Sequence, residues 1–139
     1  MLLGQYRHTI DAKGRVIVPA KFREDLGESF ILTRGLDNCL SLYSLNEWAL
    51  LEEKVKAMPM AKSREIQRFL FGNAFPVELD AQGRIVIPAN LKTYAQLLKD
   101  VVVVGVSTRA EIWDAALWDG SQEDTSSEEV VALMTELGF

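Results

Sequence analysis

Near its start the chain alternates: Tyr6, His8 and Ile10 are separated by polar neighbours, the period of a half-buried strand. A polar turn follows, and then the β-branched run "VIV" at 16–18 predicts a second strand. The same order returns further on, with Phe75, Val77 and Leu79 alternating, a polar turn, and "IVI" at 85–87. Pro19 and Pro88 end the two runs, because proline donates nothing to a strand ladder but suits the first turn of a helix. Short helices are therefore expected over about 20–26, with Gly27 as the stop, and over about 89–98.

A second strand pair follows in each half. "SFILTRG" and "CLSLYS" enclose a turn around "LDN", and "VVVVGV" and "AEIWD" enclose one around "STR". Ser44 and Asp114 hold equivalent places as helix N-caps, and Ser44 with Glu47 has the spacing of a capping box. Trp48, Leu51, Val55 and Met58 mark an apolar helical stripe that Pro59 ends. Residues 62–71, with Ile66, Phe69 and Leu70 on one face, read as a helix linking the halves. Its counterpart is the C-terminal "SSEEVVALMTELGF", and "DGSQEDTSS" at 119–127 reads as an exposed, acidic, mobile linker.

These recurrences are one internal repeat with an offset of sixty-nine residues (80 − 11). "DAKGRVIVPAKFR" and "DAQGRIVIPANLK" share six identities over thirteen positions, and "LYSLNEW" at 42–48 falls opposite "IWDAALW" at 112–118 with a shift of one. The expected organisation is a first repeat at 5–48, linking helices at 49–72, a second repeat at 74–118, and an acidic linker with a C-terminal helix at 119–139. Each repeat alone offers two-stranded units that are marginal in water. Two copies can interleave into one pseudo-twofold core, with their turns side by side on one face. The expected class is mostly β with α (α+β).

Composition adjusts this picture only in places. With 139 residues, 48% hydrophobic and 25% charged, the chain suits one ordinary globular domain or two small modules sharing a core. No apolar run is long enough to span a bilayer, and the start lacks the apolar centre of a secretory signal, so a cytoplasmic location and no membrane partner are expected. The single Cys39 reads as a small core residue. The net charge of −5 speaks against nucleic acid when taken as an average. The average hides a gradient: residues 1–23 carry five cations against Asp11, while eight acids and no Lys or Arg follow Arg109.

The turns carry the candidate chemistry. Asp11 to Gly14 and Asp80 to Gly83 have the Asp-x-x-Gly spacing of a type I turn, with Asp bonding the local backbone and Gly taking the positive φ. A projecting tip has no packing reason to carry arginine, and yet Arg15 and Arg84 recur there, beside Lys13 in one copy and Gln82 in the other. Either arginine alone would read as an ordinary solvated residue. Arginine also bonds bidentately to phosphate or to guanine O6 and N7, and a two-stranded ribbon fits the major groove.

These motifs resemble the swapped-hairpin DNA-binding domains of the AbrB and SpoVT type. The doubled motif and the opening "GQYRHTIDAKGRVIVPAKFR" are similar to the MraZ family of bacterial regulators over nearly the whole chain. The resemblance implies a pseudo-twofold double swapped-hairpin barrel with flanking helices. It implies a nucleoid-associated transcriptional regulator that binds double-stranded DNA at direct repeats in its own upstream region, before a division and cell-wall gene cluster. It also implies assembly as a ring-shaped homo-oligomer. Carried over, the DNA-contacting arginines fall on Arg15 and Arg84; Arg7 and Lys13, which flank the first tip, and Gln82, beside Arg84 at the second, are expected as further contacts. From 73 to 92 the charges cancel, so the first tip is expected to dominate.

Two other readings stay open: a protein-interaction or scaffold ring whose amphipathic C-terminal helix captures a partner, and an antitoxin-like regulator. An enzyme is disfavoured. His8, the only histidine, alternates on a strand with Tyr6 and Ile10, and no metal cluster, phosphate loop or nucleophile with a base is present in the sequence. No cofactor, metal or small-molecule substrate is expected, and Trp48, Trp113 and Trp118 read as core anchors.

Overall fold

The structure, a computed structural model, describes residues 1–124 and 127–139. The first repeat gives β1 (Leu2–Thr9), β2 (Arg15–Ile17), α1 (Ala20–Leu26), β3 (Ser29–Arg34), β4 (Leu40–Ser44) and α2 (Leu45–Lys56). Helix α3 (Met60–Ile66) runs into a π turn (Gln67–Phe71) and leads to the second repeat. That repeat comprises β5 (Phe75–Glu78), β6 (Arg84–Val86), α4 (Ala89–Tyr94), β7 (Asp100–Ser107), β8 (Ala110–Asp114) and α5 (Ala115–Asp124), with α6 (Ser127–Glu136) beyond it. The class is mixed α+β, and the strand pairings are antiparallel.

The expected hairpins β3–β4 and β7–β8 form as read. The strands on either side of each Asp-x-x-Gly turn do not pair with each other. β1 pairs with β7 and β5 with β3, so each repeat donates its first strand to the other repeat's hairpin. β2 and β6 pair only with one another. The sheet order β1-β7-β8-β4-β3-β5 is thus two equivalent three-stranded halves joined at β8–β4, which is the interleaving that two marginal half-domains require. Strand pairing does not close a barrel among the described residues. The six-stranded sheet ends at β1 and β5, and β2–β6 is a separate ribbon.

The side-chain period of two divides the sheet into faces. Phe30, Leu32, Val101, Val103 and Ile112 turn inward to meet Val16 and Ile85 of the ribbon, Phe22 and Leu26 of α1, and Leu91 of α4. Phe22 stands edge-on to Tyr6 with ring centres 5.3 Å apart. The opposite sheet face carries a smaller cluster of Cys39, Val102, Val104 and Trp113, against which Trp118 packs. Burial pushes the Cys39 thiol up to about 12, with nearby Glu111 and Asp37 adding to the shift, so this cysteine is a small core residue rather than a nucleophile. The Glu47 N–H donates to Ser44 Oγ at 3.2 Å, and the Leu117 N–H donates to Asp114 Oδ2 at 3.4 Å, so both expected caps are in place.

Three expectations change. α4 stops at Tyr94 rather than near 98, because Gln96 adopts a positive φ of 55° that breaks the helix. The linking segment becomes α3 plus a π turn, and the Thr33 hydroxyl donates to the Leu70 carbonyl at 2.6 Å, satisfying one of the groups that the π turn frees. Residues 119–124, read as linker, continue α5, and Asp119 is fixed there by Arg7. Of the remaining linker, 125–126 lie outside the described residues. No helix among the described residues is long and apolar enough to cross a membrane.

Candidate nucleic-acid interface

Both tips are built alike. The Gly14 N–H donates to the Asp11 carbonyl at 3.0 Å, and Gly83 does the same to Asp80 at 3.0 Å. Asp11 Oδ1 accepts from the Lys13 and Arg15 backbone N–H groups, each at 2.9 Å, and Asp80 Oδ1 accepts from Gln82 at 2.9 Å and Arg84 at 2.8 Å. Gly14 and Gly83 have φ of 77° and 76°, the left-handed region that glycine enters at little cost. The backbone N–H groups of Arg15 and Arg84 hold the two carboxylates below the ordinary carboxylate value, and the guanidinium groups add to the effect.

Each tip also aims its arginine. Arg15 Nε donates to Asp11 Oδ2 at 2.6 Å, and Arg84 Nε donates to Asp80 Oδ2 at 2.8 Å. Only Nε is used, so the terminal Nη atoms of both side chains form no hydrogen bond among the described residues. A guanidinium held by one edge presents the rest of its fork to an acceptor with part of its rotamer entropy already spent.

The ribbon sets the spacing. Val16 and Ile85 are buried, so Arg15 and Ile17 of β2 and Arg84 and Val86 of β6 share the outward face. Arg15 lies opposite Val86, and Arg84 opposite Ile17. The two arginines are therefore offset by two residues, about 7 Å along the ribbon. Antiparallel pairing brings the two turns in from opposite ends, where the sequence reading had set them side by side. Cross-bonds lock each turn to the other strand: the Val18 N–H donates to the Gly83 carbonyl at 2.9 Å, and the Ile87 N–H donates to the Gly14 carbonyl at 2.8 Å. Lys13 and Gln82 are exposed at the two turns.

Arg7 is not part of this group. Tyr6 and His8 on β1 turn toward the core side, so Arg7 points the other way and pairs with Asp119 on α5 at 2.6 Å. That contact raises the Arg7 pKa and lowers that of Asp119. A residue the sequence reading missed takes a place beside the second tip. The Arg23 guanidinium lies over Gly83, and its Nε donates to the Val18 carbonyl at 2.8 Å. The first repeat thus supplies a cation to the second repeat's turn. The signal was the matching last residue of "DAKGRVIVPAKFR" and "DAQGRIVIPANLK", a cation in both copies. A cleft of about 410 Å³ at the second tip also contains Glu28, Glu78 and Asp80, so the local charge there is less basic than at the first. Among the described residues, no group of three or more His, Cys, Asp or Glu is placed to hold a metal.

Comparison with known proteins agrees with the repeat. Residues 1–69 and 70–136 each match the family described as "MraZ protein, putative antitoxin-like". A protein of Thermoanaerobacter sp. (strain X514), named transcriptional regulator MraZ, is 54% identical over 143 aligned positions covering 100% of both chains. Relatives of the same name from Acetivibrio thermocellus and Desulfitobacterium hafniense are 53% identical over 100% of both chains, and 60% identical over 85% of this chain and 84% of the relative. With both copies matched and the identity running the length of the chain, this protein belongs to the MraZ family.

Proposed function

We propose that the outward face of the β2–β6 ribbon is a duplex-DNA-reading surface and that the chain is a sequence-specific transcriptional regulator. The family is one of transcriptional regulators rather than enzymes. One observation carries the DNA reading: Arg15 and Arg84, half-buried and each held at Nε by its own turn aspartate, lie on one face of a two-stranded ribbon. Ribbons of this kind enter the major groove, and arginine pairs bidentately with guanine O6 and N7. Lys13 adds charge for phosphate at the first tip, and Gln82 offers a neutral contact at the second. Arg7, tied to Asp119 on the far side of β1, contributes little.

The target is double-stranded DNA carrying direct repeats in the chain's own upstream region, before a division and cell-wall gene cluster, in a nucleoid-associated setting. Copies act together as a homo-oligomeric ring, so several ribbons engage successive repeats and weak single contacts multiply. The fold reading that accompanies this is the swapped-hairpin type, supported by the exchange of β1 and β5 between repeats. A gel-shift titration on the upstream duplex tests the reading. Arg15→Ala should weaken binding about 5- to 150-fold, the equivalent of about 1–3 kcal/mol for one bidentate base contact. Unchanged affinity would remove Arg15 from the interface.

A further inference from the structure

The C-terminal helix α6 and the turn that follows it carry apolar side chains that their own chain leaves uncovered. Val131 and Leu133 are 60% and 62% exposed, and Leu137 and Phe139 just beyond the helix are 78% and 82% exposed. Val130, Leu133, Met134 and Leu137 recur at three- and four-residue steps and so form one stripe. A ten-residue helix is marginal in water, and its persistence depends on a surface for that stripe. The segment is also wholly acidic, with Glu128, Glu129 and Glu136 and no Lys or Arg.

A complementary groove lies between the π turn, α2 and the outer face of β3–β4. It has a volume of about 650 Å³, an apolar lining that includes Leu36, Leu51, Ile66 and Phe69, and two cations, Arg34 and Arg109. Leu36 is 74% exposed at its edge. The Arg34 guanidinium stacks 4.8 Å from the Tyr94 ring centre and 5.6 Å from that of Phe69. Its Nε is buried with no hydrogen-bond acceptor, and it forms no ion pair among the described residues. Arg109 pairs with Glu111 at 3.0 Å, and Glu65 is the one acid lining the groove. Arg109 being paired already, Arg34 is the groove's cation without an ion-pair partner among the described residues, and α6 carries three glutamates and no cation. Within one chain, α5 runs over β1 and β7, tied by Asp119 to Arg7, and α6 stays exposed.

We propose that α6 of one copy seats its apolar stripe in the Arg34–Arg109 groove of the next copy, with its carboxylates toward those two arginines. Helix and groove are different surfaces, so the contact is head-to-tail, the type that closes into a ring when its rotation permits. This rests on the homo-oligomeric reading and identifies the surfaces that produce it.

Complementation tests it, with mass read by light scattering. Two full-length variants are needed: Leu133→Asp/Leu137→Asp, which spoils the helix, and Leu36→Glu/Leu51→Glu, which spoils the groove. All four substitutions are at exposed or half-exposed positions, so the core stays intact, and circular dichroism melting verifies it. The wild type should be multimeric, each variant alone should fall to the single-chain 15.6 kDa, and their mixture should give a species of two chains and no larger. In that mixture one intact helix meets one intact groove and nothing remains to extend the assembly. A multimeric wild type whose variants both stay multimeric overturns this contact and leaves the oligomer reading standing. So do variants that dissociate but do not recombine, which would assign the stripe to some other surface or partner. A monomeric wild type overturns the oligomer reading and this contact with it.

Discussion

Gly14 and Gly83 occupy equivalent turns with nearly the same φ, yet alanine should be tolerated unequally at the two. An L-residue in this left-handed region costs about 1–2 kcal/mol, and both positions incur that term. At Gly14 the added Cβ would sit 3.2 Å from the Ile87 carbonyl oxygen, which has to give by only a few tenths of an ångström. At Gly83 the added Cβ falls within the Arg23 guanidinium, which must swing away and give up its 2.8 Å bond to the Val18 carbonyl. Loss of that partly solvated bond adds about 1 kcal/mol. Gly83→Ala should therefore destabilise by about 2–3 kcal/mol and Gly14→Ala by about 1–2 kcal/mol. Urea unfolding followed by tryptophan fluorescence, at one protein concentration because association shifts midpoints, measures both. In an Arg23→Ala background the excess at Gly83 should vanish, as a double-mutant cycle would register. Equal costs for the two glycines in the wild-type background, or an excess that survives without Arg23, would refute the packing of Arg23 on the second tip.

Other outcomes follow from the same geometry. Asp11 and Asp80 have carboxyl pKa values below the ordinary value, so the order they give the tips is fully present above about pH 4 and lost as pH falls through the lowered folded values. Amide protection factors, corrected for the intrinsic pH dependence of exchange, or NMR shifts of Lys13, Arg15, Gln82 and Arg84 should stay constant from neutral pH to about 4 and change only below it; a transition near pH 6 would contradict the aspartate assignment. Arg7→Ala should leave operator affinity within about twofold, since its partner is Asp119 on the far side of β1; a loss matching that of Arg15→Ala would place DNA on that side as well.

Local features were legible where local chemistry decides them. Asp-x-x-Gly fixed both turns, Gly27 stopped α1 with a φ of 85°, and Ser44 and Asp114 capped their helices. Partner choice was not legible, because a strand's own pattern does not say which equivalent copy it pairs with. Tyr6 and His8 face Val103 and Val101 of the other repeat, a pairing that local alternation leaves open. Of the candidate site, Arg15 and Arg84 share a face as expected from the repeat, but the antiparallel ribbon, which depends on the exchange, sets their offset. Closeness in sequence groups Arg7 with the first tip, although the alternation that turns Tyr6 and His8 inward turns it away. The place of Arg23 is hidden for the opposite reason, since it arises only when α1 of one repeat lies beside the turn of the other. Where α5 continues past the expected linker boundary, Asp119 pairs with Arg7 of β1, a long-range contact that sequence spacing does not reveal.

Methylation interference on the chain's own upstream duplex reads the proposed contact at the atom concerned. If Arg15 and Arg84 bond guanine N7 in the major groove, methylation at N7 of particular guanines within each repeat should block the wild-type protein. Arg15→Ala should bind more weakly and lose the interference at its own guanine while keeping the others. Wild-type binding indifferent to guanine N7 methylation, or an interference pattern that Arg15→Ala leaves unchanged, would contradict the assignment of the β2–β6 face as the DNA-reading surface.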